Sequence, residues 1–120
     1  MILKVIEDIE KILKDFFLTD VNFVIDGKVI KKGKIMNAYV KDFFIIFKLQ
    51  VQKGGVKTFE VPYPYNLKSS KSKLIFDYKL NTLVLNNTLN FVKIKNFKPK
   101  KNSKFYDIKM YVKRNEEKTI

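Results

Sequence analysis

Nine basic side chains fall within residues 93–114: Lys93, Lys95, Lys98, Lys100, Lys101, Lys104, Lys109, Lys113 and Arg114. Phe105 and Tyr111 stand among them at an even spacing, which places both on one face of a strand. Ammonium groups neutralise phosphates, and an exposed ring offers a base a stacking surface worth roughly 1–3 kcal/mol. Lys98, Lys100, Lys101, Lys104, Lys109, Lys113 and Arg114 are therefore candidate backbone contacts, with Phe105 and Tyr111 as candidate stacking rings. Every basic residue of the chain except Arg114 is lysine. Lysine is a point charge suited to phosphate, whereas arginine's fork reads guanine edges, so the pattern predicts weak sequence preference. A structural reading is also open, in which the two rings complete a two-sided sheet under a helix and the lysines are simply solvated.

Other chemistry finds less support. Cysteine and histidine are both absent. That excludes a disulfide scaffold and thiol catalysis, and removes the commonest general base and metal ligand. An acid two residues before a lysine occurs twice at strand positions, as Asp77-Tyr78-Lys79 and Asp107-Ile108-Lys109. In metal-dependent nucleases an acid so placed holds the cation that activates water, and Glu60 would be a third acid. The pattern is also common by chance in a lysine-rich chain, and neither copy has an upstream Pro-Asp. No phosphate loop, nucleophile elbow or metal-ligand cluster is present, and nothing calls for a cofactor. Tyr63 and Tyr65, set by Pro62 and Pro64, form either a second stacking or peptide-binding platform or the lid of a barrel end.

The charge points the same way as the candidate site. The formal net charge is +13, unevenly spread. Residues 1–26 hold three lysines against six acids, and the remainder holds 22 basic residues against six acidic ones. Such an imbalance predicts a polyanionic partner: nucleic acid, an anionic membrane surface or an acidic protein. A solvated surface from an AT-rich genome, where lysine codons abound, is the bland alternative. The longest apolar run, Phe43–Phe47, is far short of the roughly 20 residues of a membrane helix. The acidic N-terminus without a cleavage site predicts no signal peptide, hence a cytoplasmic protein.

The elements that must position these residues are legible from hydrophobic period. Residues 2–18 read as an amphipathic helix, with Ile2, Val5, Ile6, Ile9, Ile12, Leu13 and Phe16 on one stripe. That stripe is expected to pack on a sheet, with dimerisation as the alternative. Val21–Asp26 and Lys28–Val40 form a hairpin about Asp26-Gly27, with Phe23 opposite Ile30 and a bulge at Gly33. A Lys41-Asp42 turn sets Val40, Ala38 and Met36 beside Phe43, Ile45 and Phe47. A three-residue loop at Lys53-Gly54-Gly55 sets Leu49 on Phe59, Phe47 on Val61 and Lys48 on Glu60. Residues 62–71 read as an extended Pro-rich segment followed by a flexible loop. Residues 74–80, 82–86, 89–95 and 104–113 read as further strands, with a lysine-rich loop at 96–103.

A helix followed by a bent five-strand meander, with Asp26-Gly27 and Gly33 in its second strand, resembles small Sm-like barrels over residues 1–63. The Arg-Gly that closes the nucleotide pocket in that family has no match, because the single arginine, Arg114, is followed by Asn115.

Together these readings predict one α+β domain over residues 1–115, with 116–120 a frayed tail. Its architecture is an N-terminal helix on an antiparallel meander of six to eight strands, curled into a small barrel or sandwich. The predicted function is non-catalytic nucleic-acid binding, single-stranded and weakly sequence-specific, to DNA or RNA. The alternative is a small viral or mobile-element interaction module that binds an acidic protein partner or a second copy of itself.

Overall fold

The computed structural model describes residues 2–81 and 105–115, with side chains for 6–79 and 107–115. One helix, α1 (Ile2–Lys14), precedes seven strands among the described residues. They are β1 (Asp20–Ile25), β2 (Lys28–Lys41), β3 (Phe44–Val51), β4 (Gly55–Pro62), β5 (Asn66–Ser69), β6 (Lys73–Asn81) and β7 (Phe105–Arg114). All pair antiparallel in a single sheet of order β4-β3-β2-β1-β7-β6-β5. The α+β class and the meander of β1 to β4 follow the hydrophobic pattern. None of the described helix is long and apolar enough to cross a membrane.

The helix ends at Lys14, not at residue 18. Residues 15–18 form turns, and Leu18 adopts a left-handed φ of 61°. The Leu18 and Ile35 amides then bond to the carbonyls of Ile35 and Thr19, so the chain joins β2 instead of continuing the helix. Ile9, Leu13 and Phe16 of the predicted stripe are buried on the sheet. Glu10 fixes the docking: its Oε2 accepts from the Val40 amide at 3.0 Å, on a stretch of β2 that runs past the start of β1.

The Asp26-Gly27 hairpin forms as expected, with positive φ at both residues (51° and 73°) and Ile25 opposite Lys28. Three registers differ from expectation. Phe23 faces Lys31, not Ile30, because Ile30 is an extra residue on β2. The second irregularity lies at Met36, where Ile35 pairs with Leu49 and Asn37 with Lys48. Gly33 itself sits between these two bulges and pairs with Val21. At the β2–β3 turn the connecting residues are Asp42 and Phe43, not Lys41 and Asp42. Lys41 therefore pairs with Phe44, Val40 with Ile45 and Ala38 with Phe47. Between β3 and β4 the loop is Gln52–Gly54, so Phe47 faces Phe59, Ile45 faces Val61 and Lys48 faces Thr58. Both hairpin slips are by two residues in pairing sum. Side-chain faces survive such a slip, which is why alternation alone could not detect it. Residues 66–69, read as loop, form β5 because its backbone pairs with β6 from Asn66–Asp77 to Ser69–Leu74.

One continuous core lies between α1 and the concave face of the sheet. Phe23 meets Phe47 and Phe59 edge-on, each at 5.0 Å between ring centroids. Phe47 on β3 and Phe76 on β6 are four strand spacings apart along the sheet, about 19 Å if it were flat. Their rings are 6.2 Å apart, so the sheet curls round the core. The buried Tyr78 hydroxyl on β6 donates to the Pro62 carbonyl on β4 at 2.6 Å. The curl stops short of a barrel: β4 and β5 remain edges, linked by residues 63–65 without pairing. Predicted strands at 82–86 and 89–95, the loop at 96–103 and the tail at 116–120 lie outside the described residues.

Candidate functional site

The alternation of β7 divides its side chains between two environments. Ile108, Met110 and Val112 are buried in the core under α1, and Asp107, Lys109, Tyr111 and Lys113 lie on the opposite, outer face. Tyr111 is therefore not covered by the helix. The register extends this outer face across neighbouring strands. Lys73 pairs with Lys113, Lys113 with Asn22, and Asn22 with Lys32, one row across β6, β7, β1 and β2. The next row is Ile75, Tyr111, Val24 and Val29.

Lys73 and Lys113 are like charges directly opposite one another, an arrangement that costs a few tenths of a kcal/mol to about 1 kcal/mol. Among the described residues neither has a carboxylate partner. Each ammonium instead lies 5.4 Å from the centroid of the half-buried Tyr111 ring. Beside them, Ser72, Lys73, Lys113 and Arg114 line an open recess of about 380 Å³. Among the described residues the row carries no acid, and the half-buried Tyr111 ring stands in the adjoining row within reach of both ammoniums. Chemically it suits an extended polyanion that carries flat groups.

The other proposed ligands are placed differently. Arg114 is bound into the fold: Nε donates to the Lys71 carbonyl (2.6 Å), Nη1 to Thr19 Oγ1 (2.9 Å) and Nη2 to the Asp15 carbonyl (2.8 Å). Its guanidinium also stacks 4.2 Å from the Phe16 ring centroid. Lys109 lies 3.8 Å from Asp77 Oδ1. Phe105 opens β7 opposite Asn81, six residues and about 20 Å from Tyr111. Lys98, Lys100, Lys101 and Lys104 lie outside the described residues. Lys73, Lys32 and Asn22 were not singled out from the sequence. Their only signal was the polar half of each strand's alternation, which does not say which strands become neighbours.

The two Asp-x-Lys segments do meet, on adjacent antiparallel strands, in a register that sets each acid against the other segment's lysine: Asp77 faces Lys109 and Lys79 faces Asp107. Glu60 belongs to β4, five strand positions from β6. Among the described residues no three acids group where they could hold a metal ion. Tyr63 packs against the core and its amide bonds the Phe43 carbonyl. Tyr65 is 70% exposed, with the Lys79 ammonium 4.7 Å from its ring centroid. Comparison with protein-family profiles, curated proteins and solved structures finds no match to this chain.

Proposed function

We propose that this chain binds single-stranded nucleic acid without catalysis, across the outer face of its sheet. The observation that carries the reading is the cross-strand pair Lys73–Lys113, whose ammoniums both lie against the Tyr111 ring and which has no acidic partner among the described residues. A phosphate backbone removes the repulsion between the two ammoniums, and a base takes the ring they leave. Lys32, at the far end of the same row, continues the track for about 14 Å. Lys98, Lys100, Lys101 and Lys104 join the proposal on sequence alone, as does the choice of a single strand over a duplex. Of the helix stripe, which would favour a protein partner if it were bare, Ile9, Leu13 and Phe16 are buried on the sheet.

Fluorescence anisotropy with labelled single-stranded DNA, RNA and duplex, each at low and physiological salt, tests this directly. Single-strand binding should survive physiological salt and quench tyrosine fluorescence. Lys73→Gln with Lys113→Gln should lower the slope of log affinity against log salt by about 1.4, from roughly 0.7 per phosphate contact. Binding that vanishes equally for all three polymers on adding salt would reduce the interaction to a polycation meeting a polyanion.

A further inference from the structure

Beyond the cationic row, β5, β6 and β7 enclose a second cleft of about 180 Å³. Tyr65, Asn66, Asp77, Lys79, Asp107 and Lys109 line it. This is below the roughly 300–1,000 Å³ of a drug-sized site and has room for one small planar group. Acids are out of place on a face that tracks phosphate, so their presence here needs a different partner.

Asp77 supplies the clue. Its side chain is 19% exposed, yet Oδ1 is buried and accepts no hydrogen bond from the described residues. Lys109, at 3.8 Å, is too distant to donate one, and its own side chain is 55% exposed and has room to swing away. A buried acceptor left unpaired is costly, and an incoming N–H donor relieves that cost. The exposed Tyr65 ring lines the same cleft, and the Tyr65 backbone N–H donates to the Asp77 backbone carbonyl at 2.8 Å. A flat group stacked on the ring therefore lies in the cleft that holds the carboxylate.

We infer that this cleft is a nucleobase pocket selective for guanine, a conclusion that rests on the nucleic-acid reading above. The base stacks on Tyr65, displacing the Lys79 ammonium toward the phosphate, and its edge meets Asp77. A carboxylate only accepts, so it selects a base edge with adjacent donors. Guanine presents N1–H and N2–H side by side. Cytosine and adenine each set one amino donor beside a ring-nitrogen acceptor, and thymine flanks its single N–H with two carbonyls. Once the Lys109 side chain swings clear of the buried Oδ1, only guanine satisfies both carboxylate oxygens, a bidentate pairing of the kind that discriminates bases by about tenfold or more.

The test uses the full chain and four labelled pentadeoxynucleotides, thymidine throughout except for the central base. The guanine-centred oligomer should bind about tenfold tighter than the all-thymidine one. Asp77→Asn should bring the ratio of guanine-centred to all-thymidine affinity down to about one, whatever the lost charge does to both affinities together. Equal affinity for all four, or a preference that survives Asp77→Asn, overturns the pocket while leaving the cationic row intact. Failure of every oligomer to bind overturns both readings together. Thermal melting checks the variant's fold. If Asp77→Asn does not fold, Tyr65→Ala at the exposed ring must abolish the preference instead, and retention of the preference there overturns the pocket.

Discussion

Replacing Arg114 with alanine removes three hydrogen bonds and a ring contact in one step. The side chain joins the end of β7 to the turn after α1 and to the β5–β6 hairpin, through Asp15, Thr19 and Lys71. Urea denaturation should show a loss of about 2 kcal/mol, since the bonds are charge-assisted but partly solvated. Arg114→Lys should recover less than half of that, because an ammonium cannot reach three diverging acceptors or stack on Phe16. Sequence reading marked Arg114 as a phosphate ligand because only its charge was visible. Two of its three acceptors are backbone carbonyls from remote segments, and a carbonyl carries no residue-type signature. Alternation set Tyr111 on the face opposite Ile108, Met110 and Val112 but left open which of the two faces the helix covers. The lysines beside it, Lys73 and Lys113, come from strands whose pairing depends on a register the pattern leaves open.

At the scale of elements, β2 shows how a strand bends to serve two neighbours. Its extra residues at Ile30 and Met36 increase the local twist and keep Ile35 and Ala38 both in the core. Between the bulges, β3 approaches Gly33 so closely that a Cβ there would lie 3.0 Å from Leu49 Cβ and 3.2 Å from the Gln50 carbonyl oxygen. Both obstacles are fixed to backbone and cannot yield as a flexible side chain would. Gly33→Ala should therefore destabilise by about 1–3 kcal/mol in chemical denaturation, although helix and strand content by circular dichroism should hold. The glycine had a readable meaning in the sequence, as an irregular point in a long strand. Whether it was the bulge or the place of close approach depended on how β3 docks. Likewise the apolar faces of β3 and β4 were correct even though both hairpin pairings slipped, since a slip of two residues returns every side chain to its own face.

For the whole molecule, the decisive feature is the curl that carries β6 over to β4. Tyr78 is its clasp. Burial raises the Tyr78 hydroxyl well above the ordinary tyrosine value of 10.0, and burial raises Tyr63 as well. The folded chain thus keeps a proton that the unfolded chain releases near pH 10. The contribution is complete below that pH and is lost as pH rises beyond it. Tyr78→Phe should cost about 1 kcal/mol near neutral pH, from the lost bond to the Pro62 carbonyl. That deficit should shrink above pH 10, where the wild type weakens and the variant lacks the group. A deficit constant with pH, measured by urea denaturation, would remove Tyr78 from the alkaline transition. By itself the amino-acid sequence determined the class of the protein: one helix, alternating strands, their buried faces, and a strongly cationic remainder. Those properties follow from local period and composition, which short-range sterics and burial impose wherever the strands end up. Tertiary structure alone decided that the sheet curls without closing, that β7 inserts between β1 and β6, and that Lys73 meets Lys113 beside Tyr111. The physical reason is that strand order and register rest on contacts between segments far apart in the chain. Several arrangements of equal local merit differ only in how completely they bury the shared core.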